Sequence, residues 1–117
     1  MGDGLLLFLK AAFPSIHFVL NYRTAGDKQN AVFISKVRGK VGPYYLDETY
    51  SITAADVIPA TAMTVANECY LLLLNGNGFT YSGKKAHIKN QTGPVPGGMD
   101  ANGISVVQFS CNFISKR

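Results

Sequence analysis

The strongest constraint on the fold comes from the end of the chain, residues 91–117, which read QTGPVPGGMDANGISVVQFSCNFISKR. Side chains of a strand alternate between the two faces of its sheet. One face of this stretch carries Val107, Phe109, Cys111 and Phe113, with no polar residue among them. That alternation is typical of a strand with one buried face. It predicts a long closing strand laid against a hydrophobic core.

The segment before this strand is rich in glycine and proline. Proline has no amide hydrogen and a fixed φ, whereas glycine adopts turn conformations that other residues avoid. Residues 93–98, which read GPVPGG, therefore predict an irregular loop. Asp100 and the Asn102-Gly103 pair supply turn chemistry directly ahead of the strand.

The composition fits one folded domain over residues 1–117. A chain of 117 residues, 47% of them hydrophobic, is long enough to bury a sizeable core without disulfides. Charged residues make up 15% of the chain and the net charge is +4, so disorder and strong attraction to polyanions are both disfavoured. Cys69 and Cys111 fall on apolar stretches, which predicts two reduced core residues in an intracellular protein.

Hydrophobic periodicity predicts the first half of the fold. A short helix is expected over residues 3–13; its leucine run lacks the basic flank of a signal peptide, and no apolar run is long enough to cross a bilayer. Three strands should follow, the first two joined as a hairpin through the polar residues 26–30. These strands are expected at residues 16–23, 31–38 and 44–53.

A second helix is the clearest local signal. Its apolar residues recur at helical spacing and are expected to form one buried stripe, which comprises Ala62, Val65, Ala66, Cys69, Leu72 and Leu73. Its start is ambiguous between a capping box at Thr53 and a first turn at Pro59. Gly76 is expected to end it in a left-handed conformation. A further strand over residues 86–90 and the closing strand complete the prediction. The fold class is α+β, a single antiparallel or mixed sheet covered on one face by two helices, in the order α-β-β-β-α-β-β.

Catalytic chemistry is not evident in the sequence. Asp47 and Glu48 are adjacent, but neighbours on a strand point to opposite faces and would not share a reaction centre. His17 and His87 lack the short spacing of metal ligands, and buried cysteines make poor nucleophiles. We therefore expect no enzymatic activity, no cofactor, no metal and no small-molecule substrate.

The order of elements and the ending together resemble the tail-terminator and minor-capsid (tail-completion) proteins of long-tailed bacteriophages. In that family the last segment commonly reads as a Gly-Pro loop, an acidic-x-Gly turn and a hydrophobic strand. The matching parts here are Gly93-Pro94, Pro96-Gly97, the turn from Asp100 to Gly103, and the strand over residues 104–114. Two residues separate the acidic residue from the glycine in this chain, instead of one.

The resemblance implies a non-enzymatic virion assembly protein of a phage or prophage. Such proteins form homo-oligomeric rings, usually hexamers, between the head connector and the tail tube, in the virion and during assembly in the host cytoplasm. Irregular, proline-stiffened segments suit docking on a neighbouring copy. The candidate contacts are Gly93, Pro94, Val95, Pro96, Gly97, Gly98, Met99 and Asp100, with Asp27 and Lys28 at the predicted hairpin tip. The alternative for both segments is a surface connection without a partner.

The rival function is binding of single-stranded nucleic acid by a small basic α+β module. Aromatic rings can stack on bases while cations neutralise phosphates. The residues that would do so are Lys36, Arg38, Lys40, Tyr44 and Tyr45. Tyr44 and Tyr45 are expected to point to opposite faces of their strand.

Overall fold

A computed structural model of the chain describes residues 1–20, 30–99 and 103–117. It shows an α+β fold with two helices and a curled six-stranded sheet. In chain order the elements are α1 Gly2–Ala12, β1 Phe18–Leu20, β2 Ala31–Val41, β3 Tyr45–Asp56, α2 Pro59–Asn75, β4 Gly78–Tyr81, β5 Lys84–Met99 and β6 Ser105–Lys116.

The sheet is mixed, with the strand order β1-β2-β3-β6-β5-β4. All neighbours are antiparallel except β1 and β2, which pair in parallel with Phe18 opposite Val32. The predicted hairpin between these two strands is therefore wrong. Alternation within a strand indicates which side chains are buried, but it carries no information on the direction of the neighbouring strand.

The order of elements after α2 also differs from the prediction. Three strands follow this helix instead of two, because residues 78–81 form the separate strand β4. Strand β5 is much longer than the expected residues 86–90 and runs through the glycine- and proline-rich segment to Met99. The predicted loop over residues 93–98 is thus part of a strand that pairs with β6.

Helix α1 requires the sheet to curl. A flat sheet of six strands would hold its two edges about 24 Å apart. Helix α1 has 11 residues and is therefore about 16 Å long, yet it packs against both β1 and β4, which are the two edge strands. The sheet bends into a half barrel around the helices. We call the side on which α1 and α2 pack the helix face and the opposite side the polar face.

The core lies between the helices and the helix face. The alternation predicted for β6 is confirmed, since Val107, Phe109, Cys111 and Phe113 are all buried. The ring of Phe113 meets that of Phe79 edge to face, with centroids 5.0 Å apart. This packing ties the central strand β6 to the edge strand β4. A smaller buried cluster lies on the polar face and comprises Ala31, Phe33, Ala55 and Ile104.

Helix α2 begins at Pro59, the second of the two predicted starts. The Asp56 carboxylate accepts a hydrogen bond from the backbone nitrogen of Ile58 at 2.9 Å, immediately before the first turn. Four residues of the predicted apolar stripe are buried, whereas Val65 and Leu72 are partly buried and pack against the same core. At the other end Gly76 has an ordinary negative φ of −84°, so the predicted left-handed cap is wrong. Asn77 adopts that conformation instead, with φ of 51°, which asparagine tolerates better than most residues.

Both cysteines are free and buried, as predicted. Burial raises the pKa of the Cys69 and Cys111 thiols to about 12. Because the thiolate is the reactive form, neither thiol should react with a disulfide reagent at pH 8 while the chain is folded. Both should react in concentrated urea. A colorimetric thiol assay with N-acetylcysteine as the control checks this, and rapid modification of the folded chain would contradict it.

Within the described ranges, no helix combines the length and the hydropathy needed to span a membrane.

Candidate functional site

The glycine- and proline-rich residues 93–98 lie on a sheet edge that is only partly covered by another strand. Strand β4 covers only the beginning of β5, where Gly78–Tyr81 pairs with residues 84–87. No described strand pairs with the outer side of β5 from residue 89 to residue 99, a region that we call the outer half of β5. Its inner side pairs with β6 through three register shifts. Proline is compatible with such an edge, because an edge strand does not need every amide for the ladder.

The outer half of β5 presents apolar side chains to solvent. Val95 and Met99 are 60% and 65% exposed. The strand approaches β6 closely at Gly97, where a Cβ atom would lie 2.9 Å from Cγ2 of Val106. Pro94 is partly buried, and the other residues from 92 to 99 are exposed. Residues 93–99 of the predicted contact set therefore form one edge that is exposed except at Pro94, although it is not a loop.

The opposite edge of the sheet is also half covered. Strand β1 pairs with β2 only at residues 32–34, so residues 35–41 have no outer neighbour among the described strands. We call this region the basic edge of β2, because it carries Lys36, Arg38 and Lys40. Valines at positions 37 and 41 are exposed along it. Cationic side chains on an open edge disfavour indiscriminate strand pairing.

The five proposed nucleic-acid contacts do not share one surface. A bulge between Lys36 and Arg38 interrupts the alternation of β2. Lys36 pairs on the helix face with Glu48, at 3.1 Å between Nζ and Oε2. Arg38 lies opposite Thr49 on the polar face, and its Nε donates to the Thr49 hydroxyl oxygen at 3.5 Å.

The two tyrosines of this set lie at the turn between β2 and β3. Tyr44 is 81% exposed and precedes the strand, whereas Tyr45 begins it and is only partly exposed. The Tyr45 ring covers Gly42, where a Cβ atom would lie 2.9 Å from the ring. Tyr44 is thus available for a stacking contact, whereas the Tyr45 ring packs against Gly42 within the turn.

Three further candidate contacts, Asp27, Lys28 and Asp100, lie outside the described residues.

The adjacent carboxylates are separated as expected for a strand. Asp47 points to the polar face, where Asn112 donates to Oδ1 at 2.6 Å and Lys89 to Oδ2 at 3.1 Å. These two donors hold the pKa of Asp47 below its usual range. Glu48 faces the helices; burial opposes its ionisation, but hydrogen bonds from Tyr50 and Lys36 keep its pKa low. Neither carboxylate is poised to accept a proton near neutral pH.

The two histidines line different hollows, and His87 shares its hollow with Lys84, Lys85 and Lys116. His17 lines a hollow of about 300 Å³ beside the start of α2, whereas His87 lies on β5 at the other end of the sheet. In the part of the chain that the structure describes, no three histidine, cysteine or acidic side chains are grouped as metal ligands would be. Asp56 also lines the hollow at His17, but its Oδ1 accepts a hydrogen bond from the backbone nitrogen of Ile58, the residue before α2.

No protein-family model matches the chain, and no curated protein matches it.

Among the described strands, the sheet has two half-covered edges of different chemistry. The outer half of β5 supplies an exposed apolar edge, and the basic edge of β2 supplies a cationic one on the opposite side of the sheet. Lys89 and Asn112 join Arg38 and Lys40 on the polar face. Sequence reasoning did not select Lys89 and Asn112, because their meeting depends on strand order and bulges that alternation does not encode.

Proposed function

We propose that this chain is a non-enzymatic virion assembly protein of a bacteriophage or prophage. It acts at the head-tail joint or the tail end by forming a ring of identical copies, which contacts tail-tube and head-connector proteins. The proposal combines the sequence resemblance with one structural observation. That observation is the exposed outer half of β5, where Val95 and Met99 face solvent on a proline-bearing edge.

The prolines determine what kind of contact this edge makes. Pro94 and Pro96 have no amide hydrogen, so the edge offers fewer donors than a regular strand. A neighbouring copy would therefore pack against its side chains and carbonyl oxygens instead of extending the sheet through a regular ladder. Rigid backbone also lowers the entropy lost on docking. These properties suit a defined interface and disfavour open-ended β aggregation.

A closed ring needs two different complementary surfaces on each copy. The basic edge of β2 is the second surface, because it lies on the other side of the same sheet. Its cationic side chains donate hydrogen bonds. The outer half of β5 offers backbone carbonyl oxygens as acceptors but lacks amide hydrogens at Pro94 and Pro96. The exposed valines of the basic edge of β2, at positions 37 and 41, can pack against Val95 and Met99. Contact between these edges of successive copies is heterologous, as ring formation requires.

Charges placed on the outer half of β5 should prevent assembly. We expect the double variant Val95→Glu, Met99→Glu to remain monomeric under conditions in which the natural chain forms rings, because each carboxylate would be desolvated in the contact. Light scattering and negative-stain images of the chain, alone and mixed with tail-tube subunits, measure this. The matched control is Leu7→Glu on α1, where the side chain is 66% exposed. Rings formed equally well by the double variant would contradict the proposed surface.

Binding of single-stranded nucleic acid is the second candidate function. Its support is that Arg38 and Lys40 share the polar face. Salt-sensitive retention of single-stranded DNA by a chain that forms no ring would favour this candidate. A ring without such retention favours the assembly proposal.

A further inference from the structure

A basic hollow of about 280 Å³ lies on the polar face, away from both the helices and the exposed side chains of Val95 and Met99. Three cationic side chains from two non-adjacent strands surround it: Arg38 and Lys40 from β2, and Lys89 from β5. Asp47 of β3 and Asn112 of β6 lie between them. The site thus draws one or more side chains from four neighbouring strands.

Two β-bulges assemble this hollow. In β2 the register shifts between Lys36 and Arg38, which leaves Lys36 on the helix face and brings Arg38 to the polar face opposite Thr49. In β5 the register shifts between Ile88 and Asn90, on either side of Lys89. Bulges redirect side chains and are frequent beside functional sites. Both bulges lie at the same level of the sheet, since Thr49 and Asn90 each pair with Asn112.

The hollow carries excess positive charge. Both oxygens of Asp47 already accept hydrogen bonds, from Asn112 and from Lys89. That single carboxylate offsets one of the three cations. Arg38 makes only a long hydrogen bond of 3.5 Å to Thr49, and Lys40 has no ion pair with any described residue. Within the described ranges, two of the three cations therefore make no ion pair, although Arg38 lies near enough to Asp47 to help lower the pKa of that carboxyl. Lys89 is held in place by its bond to Asp47.

We propose that this hollow binds a phosphate group. A phosphate carries close to two negative charges at neutral pH when it is inorganic or a monoester, which matches the excess charge. The guanidinium of Arg38 offers a planar set of donors suited to its oxygens, and Lys40 and Lys89 add point charges. The group belongs either to a free phosphate compound, which carries this charge on one group, or to a nucleic-acid backbone, in which each diester phosphate carries one negative charge on two free oxygens. Arg38 and Lys40 belong to the basic edge of β2 and Lys89 to the outer half of β5, so this site overlaps the proposed ring contact. Phosphate binding by the single chain does not depend on ring formation.

Titration of the full chain with inorganic phosphate at constant ionic strength, with chloride as the reference anion, tests the site. The readout is the change in the backbone amide NMR shifts of the residues that line the hollow, which should saturate as the phosphate concentration rises. We expect Arg38→Ala and Lys40→Ala each to weaken phosphate binding by about tenfold or more, because each removes a charged hydrogen-bond donor. Lys10→Ala removes the same net charge from α1 and should leave binding unchanged.

A second arm uses a single-stranded oligonucleotide without terminal phosphates. Binding of either probe that depends on Arg38 and Lys40, but not on Lys10, supports the site. Tighter binding of the oligonucleotide identifies a nucleic-acid backbone as the source, and binding of inorganic phosphate alone identifies a free phosphate compound. No saturable binding of either probe, or an equal loss in Lys10→Ala, overturns the proposal. Intact folding of each variant is verified from its amide spectrum.

Discussion

Replacing Gly78 by alanine is expected to destabilise the fold by about 3 kcal/mol or more. Gly78 begins β4 with φ of +114°, a conformation that residues with a side chain rarely adopt. A Cβ atom at this position would collide with the carbonyl oxygen of Ala86 and lie 3.2 Å from the Cα atom of His87. Both obstacles are backbone atoms of the neighbouring strand β5, so they move only if the pairing of β4 and β5 is distorted.

Gly83→Ala is the matched control for this prediction. Gly83 also has a positive φ, of 73°, but nothing lies within 4 Å of its hypothetical Cβ atom. Its replacement should cost only the conformational strain, about 1–2 kcal/mol. Urea unfolding monitored by circular dichroism compares the two free energies of unfolding. Equal losses in the two variants would show that the close approach of β4 to β5 does not exist.

Replacing Phe113 by alanine should be similarly damaging, with a loss of about 3–5 kcal/mol. This side chain is fully buried at the centre of the helix face. Its ring contacts Phe79 of β4 and also Tyr50 of β3, with the latter centroids 6.3 Å apart. Removing the ring leaves a cavity and breaks contacts with strands on both sides of β6. A chain of this size has a total stability of about 5–15 kcal/mol, so the variant approaches unfolding at ambient temperature.

The matched control is Tyr44→Ala, which removes an aromatic ring that is 81% exposed. Surface substitutions of this kind usually change stability by less than about 0.5 kcal/mol. The same urea titrations measure the effect, and the m-values of both variants should match that of the natural chain if unfolding remains two-state. A Phe113→Ala variant as stable as Tyr44→Ala would contradict the assignment of β6 to the core.

Sequence reasoning predicted the elements whose signal is local and repeated. The α2 stripe repeats at helical spacing and is buried at four of its six positions. The β6 face alternates along its strand and is buried from Val107 to Phe113. Separation of Asp47 from Glu48 followed from strand geometry alone. In each of these cases the pattern lies within one short segment, so the prediction needs no information on distant contacts.

Other features depend on contacts between distant segments. Whether β1 runs parallel or antiparallel to β2 is not encoded in the alternation pattern of either strand. The glycine- and proline-rich residues 93–98 disfavour a strand by propensity, yet pairing with β6 overrides that preference at an edge where missing amides do little harm. The basic hollow also escaped prediction, because it depends on the strand order and on the bulges beside Arg38 and Lys89.

The measurement that tests the central proposal most directly is affinity capture with a tagged copy of this chain. The tagged chain is mixed with the tail-tube and head-connector subunits that the proposal names, and the product is imaged by negative stain. The proposal predicts that these subunits are retained and that closed rings sit at the tube end or on the connector. A chain that stays monomeric and retains neither subunit, with both supplied in excess, would contradict it.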